Sequence, residues 1–233
     1  MPSATYEQRR SQLETYFDRT AVDAWSRLTS DAPVSRIRTT VRAGRDQMRA
    51  TLLAWLPGDL RGMRLLDAGC GTGALSVEAA RRGAQVTAVD LSPTLVDLGS
   101  QRSPRDLGRG SIEFIVGDML DPALGRFDYV VGMDSLIHYR PNDTVRVLAG
   151  LTQRTARAVL FTFAPRNAAL TVMHAVGRLF PRADRAPAIE PVSEATLRGL
   201  IAAEPQLGGW TALRTARVDC GFYMSQALEL KRG

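Results

Sequence analysis

Lysine is almost missing from this chain of 233 residues: Lys231 is the single one, and arginine supplies the rest of the 30 basic side chains. Against 24 acids they leave a formal charge of +6, which favours anionic partners without naming one. The arginines are spread along the chain and no basic tract is interleaved with aromatics, so nucleic acid is not an expected partner. Cysteine is scarce as well. Cys70 and Cys220 lie far apart and neither belongs to a CxxC pair, which argues against a protein-bound metal and for reduced thiols in a cytoplasmic compartment. No run of about eighteen apolar residues occurs, and the opening MPSATYEQRR carries no signal-peptide pattern, so neither a membrane span nor export is expected. Peripheral membrane contact stays open. Histidine occurs twice, and His138 falls in the stretch MDSLIHYR, just past an apolar run.

What is present is enough apolar material, 45% of the residues, for one substantial core with an appendage. The first third reads helical. Leu13, Tyr16, Phe17, Ala21, Ala24, Trp25 and Leu28 recur at three- and four-residue steps, and a second helix follows Pro33 with Val34, Ile37, Val41, Met48, Leu52 and Leu56 on one face. Pro57 and Gly58 stop it. Residues 1–58 are therefore expected as a helical arm across the strand ends, and 59–233 as the main domain.

From Met63 the pattern changes to short apolar runs: 63–69, 85–90, 111–118, 127–134 and 157–165, with periodic helices between several of them. Such runs predict an α/β sheet covered on both faces. Two last runs, 211–218 and 221–230, are too close for a crossover helix and predict an antiparallel pair at one end of the sheet. The insertion 166–203 would emerge at the carboxyl edge of the sheet, where open α/β folds bind ligands. Its stripe Ala169, Val172, Met173, Val176, Leu179 and Phe180 either faces a large flat substrate or packs on the sheet.

The sharpest local signal is LLDAGCGTGALSVEAARRG, in which a buried strand ends at Asp67 and Gly69, Gly71 and Gly73 lead into a helix. Glycines permit a tight strand-to-helix turn and a close backbone approach by a ligand. Ala74 stands where a dinucleotide fingerprint needs its third glycine, so a pyrophosphate cradle is disfavoured. Asp90 closes the second run, where a carboxylate can accept from both hydroxyls of a ribose. Asp118 closes the third, placed to accept from an exocyclic adenine amine while Leu91 and Met119 cover the ring faces.

On these residues the chain resembles the class I S-adenosylmethionine-dependent methyltransferases: DAGCGTG as glycine loop, an acid at Asp90 and the GDM acid at Asp118. The resemblance implies a Rossmann-like, seven-stranded, mostly parallel sheet with the last strand antiparallel. It also implies S-adenosyl-L-methionine as cofactor, S-adenosyl-L-homocysteine as product, and cofactor contacts from Asp67, Gly69, Gly71, Gly73, Asp90, Leu91, Gly117, Asp118, Met119 and Met133. Arg38, in the arm, is the candidate for the cofactor's methionine carboxylate.

The stretches YFDRTAVDAWSRL, VSRIRTTVRAGRDQM, MDSLIHYR and FTFAPRNAAL further resemble the magnesium protoporphyrin methyltransferases of (bacterio)chlorophyll synthesis. That resemblance implies esterification of one propionate of magnesium protoporphyrin IX, with Tyr16 and His138 assisting transfer. The magnesium would belong to the substrate. Partners it leaves open are the porphyrin-binding subunit of magnesium chelatase and the photosynthetic membrane. Read from the residues alone, His138 serves as a base, a donor to an anionic substrate or a helix cap, and Tyr16 as a site residue or a member of the helical stripe. Arg166, Arg178 and Arg182 are candidates for the propionates. A carboxyl or hydroxyl methyltransferase of another apolar small molecule, such as a quinone precursor, and a non-catalytic cofactor- or RNA-binding accessory protein are the competing readings.

Overall fold

Seven strands pair into one sheet: β1 (Arg64–Ala68), β2 (Gln85–Asp90), β3 (Ser111–Val116), β4 (Phe127–Gly132), β5 (Thr155–Phe163), β6 (Trp210–Cys220) and β7 (Tyr223–Arg232). Their order is β3-β2-β1-β4-β5-β7-β6. Pairing is parallel from β3 through β5, and β7 runs antiparallel to both its neighbours. This computed structural model describes residues 4–19, 36–166 and 189–233, without the side chains of 18, 19 and 36–38. The expected helical positions Ala21, Ala24, Trp25, Leu28 and Val34, and the stripe 169–180 with Arg178 and Arg182, lie outside the described residues.

Central strands are apolar on both faces because both faces are covered. On one side, helices α2 (Arg36–Trp55) and α3 (Ala74–Arg81) bury Met48, Leu52, Leu75 and Ala79 against Leu65, Val86, Val131 and Leu160. On the other, α5 (Pro141–Thr152) and α6 (Glu194–Ala203) bury Leu148, Leu151, Leu197 and Ile201 against Leu66, Val130, Val159 and Leu228. Residues 194–203 of the expected insertion thus belong to the layer over the sheet. Helix α4 (Pro93–Arg102) packs beside β2 and β3, its N-terminus capped by Ser92. Edge strand β6 carries many exposed side chains, Leu213 among them, and its own exposed charges Arg214 and Arg217 discourage further strand pairing.

Residues of α2 and of a first helix both meet the carboxyl ends of these strands. Helix α1 (Ala4–Arg19) buries Tyr6 and Leu13 in the core, and its Thr5 hydroxyl donates to Asp143 of α5. Helix α2 lies close on β7: a Cβ on Gly44 would meet the Tyr223 ring at 2.4 Å, so a larger residue there would push the two apart. The strand order reverses between β1 and β4, which opens a crevice at that edge. Within the expected insertion, residues 190–192 lie at the same rim: Pro165 and Val192 form a parallel bridge, and the Glu190 N–H donates to the Ile137 carbonyl at 2.9 Å.

Candidate active site

The crevice holds a cavity of about 320 Å³ lined by the glycine loop, the ends of β2, β3 and β4, and both arm helices. In the loop beside it Gly69, Gly71 and Gly73 adopt positive φ of 82°, 55° and 73°, where L side chains are strained. Gly69 has a second reason to be glycine, since a Cβ would lie 2.4 Å from that of Ser135. Ser135 itself lines the cavity, and its buried hydroxyl has no hydrogen-bond partner among the described residues.

Two carboxylates belong to this half. Asp67, fully buried, accepts from the Ser76 hydroxyl at 2.6 Å. Burial, and then the nearby charge of Asp90, push its pKa up to about 7, with the Ser76 bond opposing the rise. Asp90 accepts from the Gly71 N–H at 2.8 Å and the Ser92 N–H at 3.0 Å, which ties the strand end to the loop. Burial raises its pKa as well, against those backbone bonds. Neither acid has a cationic side chain within salt-bridge distance among the described residues.

The flanking strand ends differ. Asp118 accepts from the Tyr6 hydroxyl at 2.7 Å and the Leu120 N–H at 2.8 Å on one oxygen, and from Arg10 at 2.7 Å on the other. Tyr6 stacks on Tyr139 with centroids 5.0 Å apart, and burial pushes both phenols well above the usual range. Asp134, past β4, accepts from Arg45 at 2.9 Å, Tyr223 at 3.0 Å and Ser225 at 3.1 Å.

Most of the expected cofactor residues come together here: Asp67, Gly69, Gly71, Asp90, Leu91, Gly117, Asp118, Met119 and Met133 all line the cavity. Gly73 does not; it caps α3, facing Phe114. His138 lines the cavity in a 3-10 turn (Leu136–His138), its ring edge-on to Phe17 at 5.8 Å. Tyr16 is not a lining residue; its ring meets Phe17 edge-on at 5.2 Å, so α1 presents Phe17 to His138. The Arg38 side chain lies outside the described residues, and the cavity guanidiniums of α2 come from Arg42, Arg45 and Arg49. Arg166 is exposed. Missed from sequence were Tyr6, Arg10, Arg45 and Asp134. A signal existed for some: Tyr6 stands two turns before Leu13, and Arg42, Arg45 and Arg49 recur on one helical face.

A cofactor bearing a ribose, an adenine and an amino-acid group fits these residues: hydrogen-bonded acids at successive strand ends, a glycine cradle that a Cβ would fill, and a buried hydroxyl beside it. Comparison with known proteins agrees. Residues 132–232 match the family model described as magnesium-protoporphyrin IX methyltransferase C-terminus, and residues 65–157 match a methyltransferase domain. The chain is 51% identical over 232 residues to the magnesium-protoporphyrin O-methyltransferase of Rhodobacter capsulatus, covering 99% of this chain and 100% of that one. It is 31% identical to the Synechocystis enzyme of the same name, over 94% and 95% of the two chains. The crystal structure of magnesium protoporphyrin IX methyltransferase from Synechocystis with bound SAH superposes with a TM-score of 0.83 at 30% identity, covering 96% of this chain and 100% of that one. The chain therefore belongs to the magnesium-protoporphyrin O-methyltransferase family of class I, S-adenosylmethionine-dependent methyltransferases.

Proposed function

We infer that this chain transfers a methyl group from S-adenosylmethionine to a propionate carboxylate of magnesium protoporphyrin IX, leaving the monomethyl ester and S-adenosylhomocysteine. The observation that carries it is the near full-length kinship joined to a cavity whose glycine loop and Asp90 suit the cofactor and whose β4 exit carries His138. When bound, the cofactor supplies an activated methyl on a sulfonium. The protein supplies orientation and dryness. Asp90 takes the ribose hydroxyls, Asp67 faces the methionine part through the loop, and Leu91 and Met119 flank the adenine beside Asp118. Arg42, one turn after Arg38, is the cavity guanidinium we assign to the methionine carboxylate.

A propionate, with an unperturbed pKa of ~4.5, is already ionised at neutral pH, so a strong base is unnecessary. His138 accordingly acts as a positioning group and hydrogen-bond donor to the carboxylate, and Phe17 holds the imidazole edge-on. Tyr16 is retained only as the neighbour of Phe17 on α1. The segment 166–193 is proposed as the porphyrin cover. No helix among the described residues is long and apolar enough to cross a membrane; a cytoplasmic site with peripheral contact to the photosynthetic membrane and to the chelatase subunit that delivers the porphyrin is the reading we favour. Incubation of the purified protein with methyl-labelled cofactor and a panel of porphyrins, quinone precursors and RNA tests the assignment. Label in the porphyrin ester is expected, and label in a quinone or RNA, with none in the porphyrin, would overturn it.

A further inference from the structure

Asp134 has a left-handed backbone, φ 56°, the one non-glycine residue with positive φ among the described residues. Such a conformation is strained for an L residue and persists where the surroundings over-determine it. Here they do. One carboxylate oxygen accepts from Tyr223 at 3.0 Å, Ser225 at 3.1 Å and Thr162 at 3.3 Å, and the other from Arg45 at 2.9 Å and Tyr223 at 3.1 Å. The Asp134 N–H returns a bond to the Thr162 hydroxyl at 2.7 Å. Helix α2, β5 and β7 are thereby tied to one residue whose side chain is only 7% exposed.

With both oxygens engaged, this carboxylate is poorly placed to take a proton from a substrate. It nevertheless lines the cavity in the same turn as Met133, Ser135 and His138, and Arg45 lines it too. A buried carboxylate in that wall would repel an approaching propionate unless its charge were cancelled, and Arg45 is the cation that bonds to it.

We propose that Asp134 is a positioning residue for methyl transfer: it clamps the β4 exit turn that carries His138, and Arg45 neutralises it so that the anionic acceptor meets a wall without net charge. This rests on the reading of the cavity as the site of porphyrin esterification. Removing one partner of a buried pair leaves the other uncompensated, whereas removing both does not. The two single variants therefore have opposite electrostatic consequences.

The experiment titrates magnesium protoporphyrin IX and its dimethyl ester, which lacks the carboxylates, into wild type, Arg45→Gln, Asp134→Asn and the double variant. Arg45→Gln should weaken the free acid by about 10- to 100-fold and the diester by less than about threefold, and the double variant should recover most of the loss. Asp134→Asn should bind the free acid at least as tightly as wild type, yet its single-turnover rate at saturating substrate should fall by about tenfold as the turn loosens. Equal weakening of acid and ester in Arg45→Gln, or a double variant no better than that single one, would overturn the proposal. If Arg45→Gln does not fold, Asp134→Asn decides: an unchanged saturated rate or weaker acid binding defeats it. A wild-type protein that binds neither porphyrin would instead overturn the reading of the site on which the proposal rests.

Discussion

Four carboxylates stand at the carboxyl ends of four neighbouring strands, and the inner two are held differently from the outer two. Asp67 and Asp90, on β1 and β2, are bonded among the described residues by a hydroxyl and backbone N–H groups only, and burial raises both. Asp118 and Asp134, beyond β3 and β4, are each met by an arginine and a tyrosine, Arg10 with Tyr6 and Arg45 with Tyr223. Arg10, Tyr6 and Arg45 come from the arm helices and Tyr223 from β7. The outer acids thus anchor helices, and the inner acids keep capacity for a ligand that brings hydroxyls and a cation. An acid at a strand end is therefore not a site by itself; what already bonds to it decides.

The largest effect should come from the acceptor side. His138→Ala is expected to lower the single-turnover rate at saturating porphyrin by roughly 10- to 1000-fold, with partial rescue by added imidazole. An unchanged rate would leave the histidine as a structural cap. On the donor side, Asp90→Ala should weaken cofactor binding by about 1 to 3 kcal/mol in a folded protein, read by calorimetry. Unaltered affinity there would remove the distinction between inner and outer acids.

A smaller change is expected for the clamp on the outer acid of β3. Tyr6→Phe keeps the stack on Tyr139 and deletes the bond to Asp118, so stability should drop by about 1 to 2 kcal/mol in denaturant unfolding. A full-strength loss of cofactor affinity with no loss of stability would show instead that Tyr6 serves the ligand.

The smallest effect is a slope in pH. Asp67 holds its proton up to about 7 in the folded chain, against 3.8 as its ordinary value, so without cofactor its contribution to stability is best at low pH and falls as pH rises between those values. A cationic amino-acid group beside it favours the ionised form, so cofactor affinity should rise with pH toward 7 and then level. Asp67→Asn should flatten that rise, and a slope that persists in the variant would assign it to another group.

The seven strands, the antiparallel β7 and the glycine loop were legible because their signals are local: apolar runs of strand length, and glycines spaced for one turn. The place of Asp90 in the cavity was legible because it closes the next such run, after the loop and its helix. Tyr6 and Arg45 were not, because their partners stand 112 and 89 positions away, and neither helix marks which polar side chain will face a strand end. Tyr16 entered through the family resemblance, and no local pattern on α1 shows that its neighbour Phe17 is the residue whose ring meets His138. Asp134 was read only as part of the stretch MDSLIHYR; its left-handed turn depends on bonds from α2, β5 and β7 that no local pattern encodes.

The division between a donor half and an acceptor half is tested most directly by measuring single-turnover rate as a function of cofactor concentration in Asp90→Ala and His138→Ala, at saturating magnesium protoporphyrin IX. The account predicts that Asp90→Ala moves the midpoint to higher cofactor concentration and keeps the plateau, while His138→Ala lowers the plateau and keeps the midpoint. A lowered plateau in Asp90→Ala together with a shifted midpoint in His138→Ala would contradict it.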